Sequence, residues 1–195
     1  MTPAGLVLCG GRGTRLEAAV EKPIFEVAGQ PMVDRVLAAL EGSGVGEIRA
    51  VTSPQTPATS AHLRERGVER IAAPGDGYVA DLTYALDRVS TPALTVAADL
   101  PLLDAAAVDR VLNARRGSLA VYVPAALKSA LGVSYDRSTE RDGRSVVPAG
   151  VNVVADDADE IRISYDARYA VNVNRRADAA VAERLLGRTE DKDGS

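Results

Sequence analysis

Tryptophan is absent from this 195-residue chain, phenylalanine occurs once, and aromatic residues make up only 4% of it. A core must therefore be built from Ala, Val, Leu and Ile, which suits helices packed on a largely parallel sheet better than a sandwich. The single cysteine, Cys9, excludes an internal disulfide, and one Cys with one His, His62, is too little for a zinc site. No Ser/His/Asp or Cys/His set offers a covalent nucleophile. No apolar run approaches the length of a signal core plus span or a membrane helix, so the expectation is a cytoplasmic protein without a membrane partner. A net charge of −4 argues against nucleic acid as a partner but leaves room for a local basic pocket. Lysine is scarce, three against 20 arginines. Lys22 stands out, because Lys128 is expected in a loop and Lys192 in the tail.

What the chain does have is glycine at one decisive place. Cys9-Gly10-Gly11-Arg12-Gly13-Thr14-Arg15 follows the strand-like Leu6-Val7-Leu8 and precedes Lys22-Pro23. Three glycines within four residues let backbone N–H groups approach anionic oxygens, and Arg12, Arg15 and Lys22 add positive charge. A Walker A loop needs a Gly-Lys pair, and none exists. A dinucleotide fingerprint beginning at Gly11 needs glycine where Leu16 stands. The remaining pattern, strand, Gly-Gly-x-Gly-Thr-Arg, then Lys-Pro, resembles that of the nucleotidyltransferases; a tight strand-to-helix turn is the bland alternative.

Strands and helices alternate along the chain, the mark of an α/β fold. Strands are expected at 5–8, 47–52, 69–73, 93–98, 119–123, 151–154 and 170–173, with a short stretch at 24–27 ending in a turn at 28–30. Helices are expected at 31–40, 57–66, 78–89, 104–112 with Asp104 as its cap, and 175–186. The polar stretch 136–145 reads as a turn or hairpin, residues 1–187 as one domain, and 188–195 as a charged, flexible tail.

In open α/β sheets ligands collect at the carboxyl ends of strands. Four unusual segments fall there: the glycine loop, Thr52-Ser53-Pro54, Gly75-Asp76-Gly77-Tyr78, and Asp99. A buried strand presents Asp99 rigidly, which suits Mg²⁺, a cation that takes one or two carboxylates plus phosphate oxygens. Asn174 is the candidate second oxygen ligand and Asn172 the spare, with an N-cap as the competing role for Asn174. Gly150, entering a strand in Pro148-Ala149-Gly150-Val151-Asn152, permits a ligand to lie against backbone. Attack at the α-phosphorus of a nucleoside triphosphate needs an in-line acceptor, a metal and cations. The glycine-loop amides, Arg15, Lys22 and Asp99 with Mg²⁺ supply that kit, and a phosphate-monoester acceptor needs no general base.

With these pieces in place, residues 4–187 resemble the archaeal adenosylcobinamide-phosphate guanylyltransferases. The resemblance rests on Gly10 to Arg15, Glu21-Lys22-Pro23, Thr52 to Pro57, Gly75 to Tyr78 with Asp81-Leu82, Asp99-Leu100, Pro148 to Val154, and Val173-Asn174. It implies a three-layer, nucleotidyltransferase-type Rossmann-like fold with a mostly parallel central sheet. It also implies an archaeal source and transfer of GMP from GTP to adenosylcobinamide phosphate, giving adenosylcobinamide-GDP and pyrophosphate in cobalamin assembly and salvage. Carried over by position, Gly10, Gly11, Arg12, Gly13, Thr14, Arg15 and Lys22 serve the GTP phosphates, and Asp99 the metal. Ser53, Gly77, Gly150 and Asn152 serve the nucleoside pocket, and Asn174 the phosphates or metal. Between Arg15 and Lys22 the chain departs from the family, which has a shorter run with a glycine after the hydrophobic residue. The alternatives are a molybdenum cofactor guanylyltransferase, a sugar-1-phosphate nucleotidyltransferase, and a non-catalytic GTP sensor. A homodimer is compatible with the sequence, and the 124–145 region is the guess for corrinoid contact.

Overall fold

The computed structural model describes residues 2–11, 13–155 and 159–193, with side chains to residue 187. Arg12 lies outside the described residues. In chain order the strands are β1 (Ala4–Leu8), β2 (Glu26–Val27), β3 (Gln30–Pro31), β4 (Ile48–Thr52), β5 (Glu69–Ala72), β6 (Ala93–Ala97), β7 (Ser118–Pro124), β8 (Thr139–Arg141), β9 (Arg144–Val154) and β10 (Asp159–Ile163). The helices are α1 (Met32–Glu41), α2 (Pro57–Glu65), α3 (Tyr78–Leu86), α4 (Ala105–Ala114), α5 (Ala125–Leu131), α6 (Ala167–Ala170) and α7 (Arg176–Asp193).

The main sheet runs β10-β7-β9-β6-β1-β4-β5, with β8 paired to β9. Its pairs are parallel except those of β9, which runs antiparallel to β6, β7 and β8. Side chains alternate across β1: Val7 faces a core shared with α1, α2 and α4, while Leu6 faces a second core shared with α3. Helices thus cover both faces, which makes the three layers. The helix α1 forms because Val33, Val36, Leu37 and Leu40, all fully buried, recur on one side at helical spacing. Asp104 caps α4, accepting from the Ala107 N–H at 2.7 Å.

Chain order places a switch point beside β1, since the chain moves from β1 out to β4 and β5, then returns to β6 on the other side. At such a point the loops after neighbouring strands diverge and leave a crevice. The loops leaving β1 and β6 carry Gly10-Gly11 and Asp99.

Four sequence expectations change. Residues 170–173 are not a strand: Ala170 ends α6, and Val171 and Val173, both fully buried, continue as irregular chain. The apolar Ala170, Val171 and Val173 reflect burial, but the segment's backbone partners are lone ones, the Asp99 carbonyl for Val173 N–H at 3.0 Å and the Lys128 ammonium for the Ala170 carbonyl. The segment 151–154 is the end of the 11-residue β9, which absorbs Pro148 and Gly150 where its pairing with β7 shifts register. Lys128 stands on a helix, α5, not in a loop. The last helix continues to Asp193 through residues expected to be a flexible tail. One glycine costs a helix only about 1 kcal/mol, and Arg188, Glu190 and Lys192 are good helix formers.

Candidate active site

Three segments distant in sequence meet at the carboxyl ends of β1 and β6. The first contains Lys22, which opens a short 3-10 turn with Pro23 at its second position. Its neighbour Glu21 fixes that turn by accepting from the Ala58 and Thr59 N–H groups at 2.9 and 2.7 Å, so one carboxylate caps the first turn of α2 from outside it. Gly13 fixes it from the other side. Its φ is +64°, and a Cβ there would stand 2.5 Å from the Lys22 Cβ. Glycine at position 13 therefore serves the approach of two protein segments as well as any ligand.

The second segment presents Asp99, and the third Asn172 and Asn174. Lys22 Nζ donates to Asp99 Oδ2 at 2.5 Å and to Asn174 Oδ1 at 2.7 Å. Asn172 Nδ2 donates to Asp99 Oδ1 at 3.1 Å and to the Ala149 carbonyl at 3.1 Å. Gly150, next in sequence to that carbonyl, is required by the backbone and by β6: its φ is +80°, and a Cβ there would lie 2.9 Å from the Ala97 Cβ. Asn174 is not the cap of α7. The buried Asp178, in the first turn, accepts from the Asn174 and Arg175 N–H groups at 2.9 and 2.8 Å, which frees the Asn174 side chain for Lys22.

Beside this centre lies a cavity of about 340 Å³, walled by Gly10 and Gly11, by Lys22 and Asp99, and on the far side by Gln55, Gly77, Tyr78, Asp81 and Leu82. Asp81 accepts from the Gly75 N–H at 2.8 Å, and Gln55 Nε2 donates to the Gly75 carbonyl at 3.2 Å, so both shape the turn before α3. Burial, and then the charge of Asp99, raise the pKa of the Tyr78 phenol. At the base of the cavity, burial pushes the Cys9 thiol up to about 12, which keeps it neutral and unreactive.

The other expected residues stand elsewhere. Thr14 and Arg15 lie in a 3-10 turn pinned by the buried Leu16, and the exposed Arg15 guanidinium pairs with Asp136. Ser53 is buried in a turn where its hydroxyl accepts from the Gln55 N–H at 3.3 Å, behind the cavity wall. Asn152 sits in mid-sheet, donating to Thr95 at 3.4 Å, and does not line the cavity. Sequence reasoning missed Gln55, Asp81 and Lys128. The first two sat inside segments already singled out.

A model of the MobA-like NTP transferase domain matches residues 5–138. The chain is also 30% identical over 192 residues to the adenosylcobinamide-phosphate guanylyltransferase of Methanocaldococcus jannaschii, covering 93% of this chain and 96% of that protein. This chain belongs to the MobA-like NTP transferase family. The bifunctional protein GlmU of Trichlorobacter lovleyi is 34% identical over 113 residues, 55% of this chain and 25% of that protein. Among solved structures, a CMP:2-keto-3-deoxy-manno-octonic acid synthetase complexed with CTP superposes with a TM-score of 0.67 at 13% identity, covering 97% of this chain and all of that one. A hypothetical transferase of Thermus thermophilus gives 0.60 at 23% identity, covering 80% of this chain and 66% of that one. These two share the fold.

As a MobA-like NTP transferase, the chain is an enzyme that transfers nucleotides. Its centre passes a simple test of fit for a divalent cation. A carboxylate oxygen and an amide oxygen from two different segments converge on one point, which the Lys22 ammonium bridges. Hard cations take such oxygens, and with few carboxylates nearby they complete their shell from phosphate and water. Among the described residues no group of three or more His, Cys, Asp or Glu could hold a metal. Among them, too, no helix is long and apolar enough to cross a membrane.

Proposed function

We propose that this MobA-like NTP transferase transfers GMP from GTP to adenosylcobinamide phosphate, releasing pyrophosphate. The observation that carries the proposal is the convergence of Lys22, Asp99 and Asn174 beside the glycine-walled cavity, in a chain matching a guanylyltransferase of that name over 93% of its length. In the reaction an oxygen of the acceptor phosphate forms a bond to the α-phosphorus of GTP. The bond from that phosphorus to the α–β bridging oxygen breaks, and pyrophosphate leaves with the electron pair. An acceptor that is already an anion needs no general base.

Each residue has a place in that step. The backbone of Gly10 and Gly11 faces the triphosphate, with Gly13 and Thr14 completing the loop and Arg15 at its rim, and Arg12 is assigned to the phosphates from the sequence motif alone. Lys22 stabilises the charge that develops on the equatorial and leaving oxygens. Asp99 and Asn174 would hold Mg²⁺, which when bound would supply positive charge to the phosphate oxygens. Gly77, Gln55, Tyr78 and Asp81 form the nucleoside side of the cavity, while Ser53 and Gly150 support its walls and Asn152 steadies the sheet behind it.

The test is incubation with Mg²⁺ and GTP labelled at the α-phosphate, with and without adenosylcobinamide phosphate, alongside ATP, CTP and UTP. Label moving to the corrinoid from GTP, with stoichiometric pyrophosphate, is the expected result. GTP binding without transfer to any phosphorylated acceptor supports a sensor instead. Transfer to a sugar phosphate or a molybdopterin overturns the acceptor.

A further inference from the structure

Among the described residues, the largest fully buried side chain is a lysine that the proposed reaction does not use. Lys128 stands on α5 with 1% of its surface exposed, in a protein that has only three lysines. Its ammonium donates to the Ala170 carbonyl at 2.7 Å and to Asn172 Oδ1 at 2.9 Å. Burial draws its pKa below the ordinary lysine range, with Asp99 and Asp178 pulling the other way.

The consequence lies in the Asn172 amide. A carboxamide has one accepting end and one donating end, and an ammonium can only donate. With Lys128 holding Oδ1, Nδ2 must face Asp99 and the Ala149 carbonyl, as it does. Asp99 Oδ1 is then occupied by a donor, and Oδ2 is the oxygen turned toward Lys22 and Asn174. Without Lys128 the Asn172 oxygen is left buried with no donor, and the amide is held against Asp99 by its Nδ2 contacts alone.

We propose that Lys128 is a positioning residue: through Asn172 it fixes the Asp99 carboxylate so that Oδ2 alone is offered to the divalent cation. The inference rests on the reading of Asp99 as a cation ligand. Outer-shell partners of metal ligands change metal affinity by about 10–100-fold when removed, and a shift of that size is expected here.

The test is Mn²⁺ binding, read by electron paramagnetic resonance, to full-length protein with a non-hydrolysable GTP analogue. Lys128→Met, which keeps the bulk and removes the donor, is expected to weaken Mn²⁺ about 10–100-fold. Binding of the analogue without metal should stay within about twofold, since Lys128 does not line the cavity. Asn172→Ser should give the same loss, and the double variant should be no worse than either single one, because both remove one relay. A purely structural role predicts losses that add and that extend to metal-free binding. Asp99→Asn separates the two readings. If it binds Mn²⁺ as the parent does, Asp99 is not the ligand and the underlying reading fails. If it loses Mn²⁺ while Lys128→Met keeps it, the Lys128 proposal alone is overturned. Should Lys128→Met fail to fold, Asn172→Ser decides by itself: unchanged Mn²⁺ affinity sinks the relay.

Discussion

Two cationic residues of the glycine-loop region, Lys22 and Arg15, are held in opposite ways. The Lys22 side chain is 15% exposed and bridges Asp99 and Asn174, in a turn braced by Gly13 and by the Glu21 cap on α2. The Arg15 side chain is 57% exposed and pairs with the equally exposed Asp136. An exposed pair contributes about 0–1 kcal/mol, so Arg15 can exchange Asp136 for a phosphate at little cost. The half-enclosed, doubly bonded lysine instead holds the Asp99 and Asn174 oxygens together, and a divalent cation taking those oxygens would displace its ammonium. On the proposed function the floor of the site carries the chemistry and its rim the capture.

The comparison can be broken by substitution. Asp99→Ala is expected to abolish label transfer from GTP, a fall of about 10³-fold or more, while some GTP binding persists by equilibrium dialysis. Lys22→Met should lower kcat by about 10²–10³-fold with a smaller change in KM, measured by pyrophosphate release. Arg15→Gln should raise KM for GTP about tenfold and leave kcat nearly unchanged, with the difference shrinking as salt rises. Asp136→Ala sharpens the contrast, since releasing Arg15 should lower that KM.

Smaller effects concern stability. Glu17, in the run where the family has a glycine, adopts φ +49°. Relieving that left-handed backbone by Glu17→Gly is expected to stabilise the fold by about 1 kcal/mol, read from denaturant unfolding. For Cys9 burial raises the pKa from 9.0 to about 12, so folding favours the neutral thiol. Its contribution is full below pH 9 and is lost as pH rises from 9 toward 12. Cys9→Ala should flatten that part of the stability profile.

Much of this was legible in the letters. The period-3.6 pattern of α1 and the apolar run ending at Asp99 report burial directly, and the glycine loop with Lys-Pro marks the switch point. The parts that were not legible share a cause: side chains whose surroundings come from distant sequence. Lys128 breaks the apolar pattern of a seven-residue helix, and its partners lie over 40 positions away. The edge strand β10, Asp159–Ile163, is exposed along most of its length and so has no buried alternation to read. Val171 and Val173 look like a strand because both are buried, yet their burial comes from packing under α7. Arg15 was expected at the phosphates on motif alone, and its pairing with Asp136 depends on how residues 132–138 fold back.

The most direct measurement is the single-turnover rate of transfer from α-labelled GTP to adenosylcobinamide phosphate, for Asp99→Ala and Arg15→Gln side by side with saturating GTP. A floor that does the chemistry and a rim that only captures predict near-normal transfer by Arg15→Gln and a loss of about 10³-fold by Asp99→Ala. Equal losses, or normal transfer by Asp99→Ala, would contradict the account.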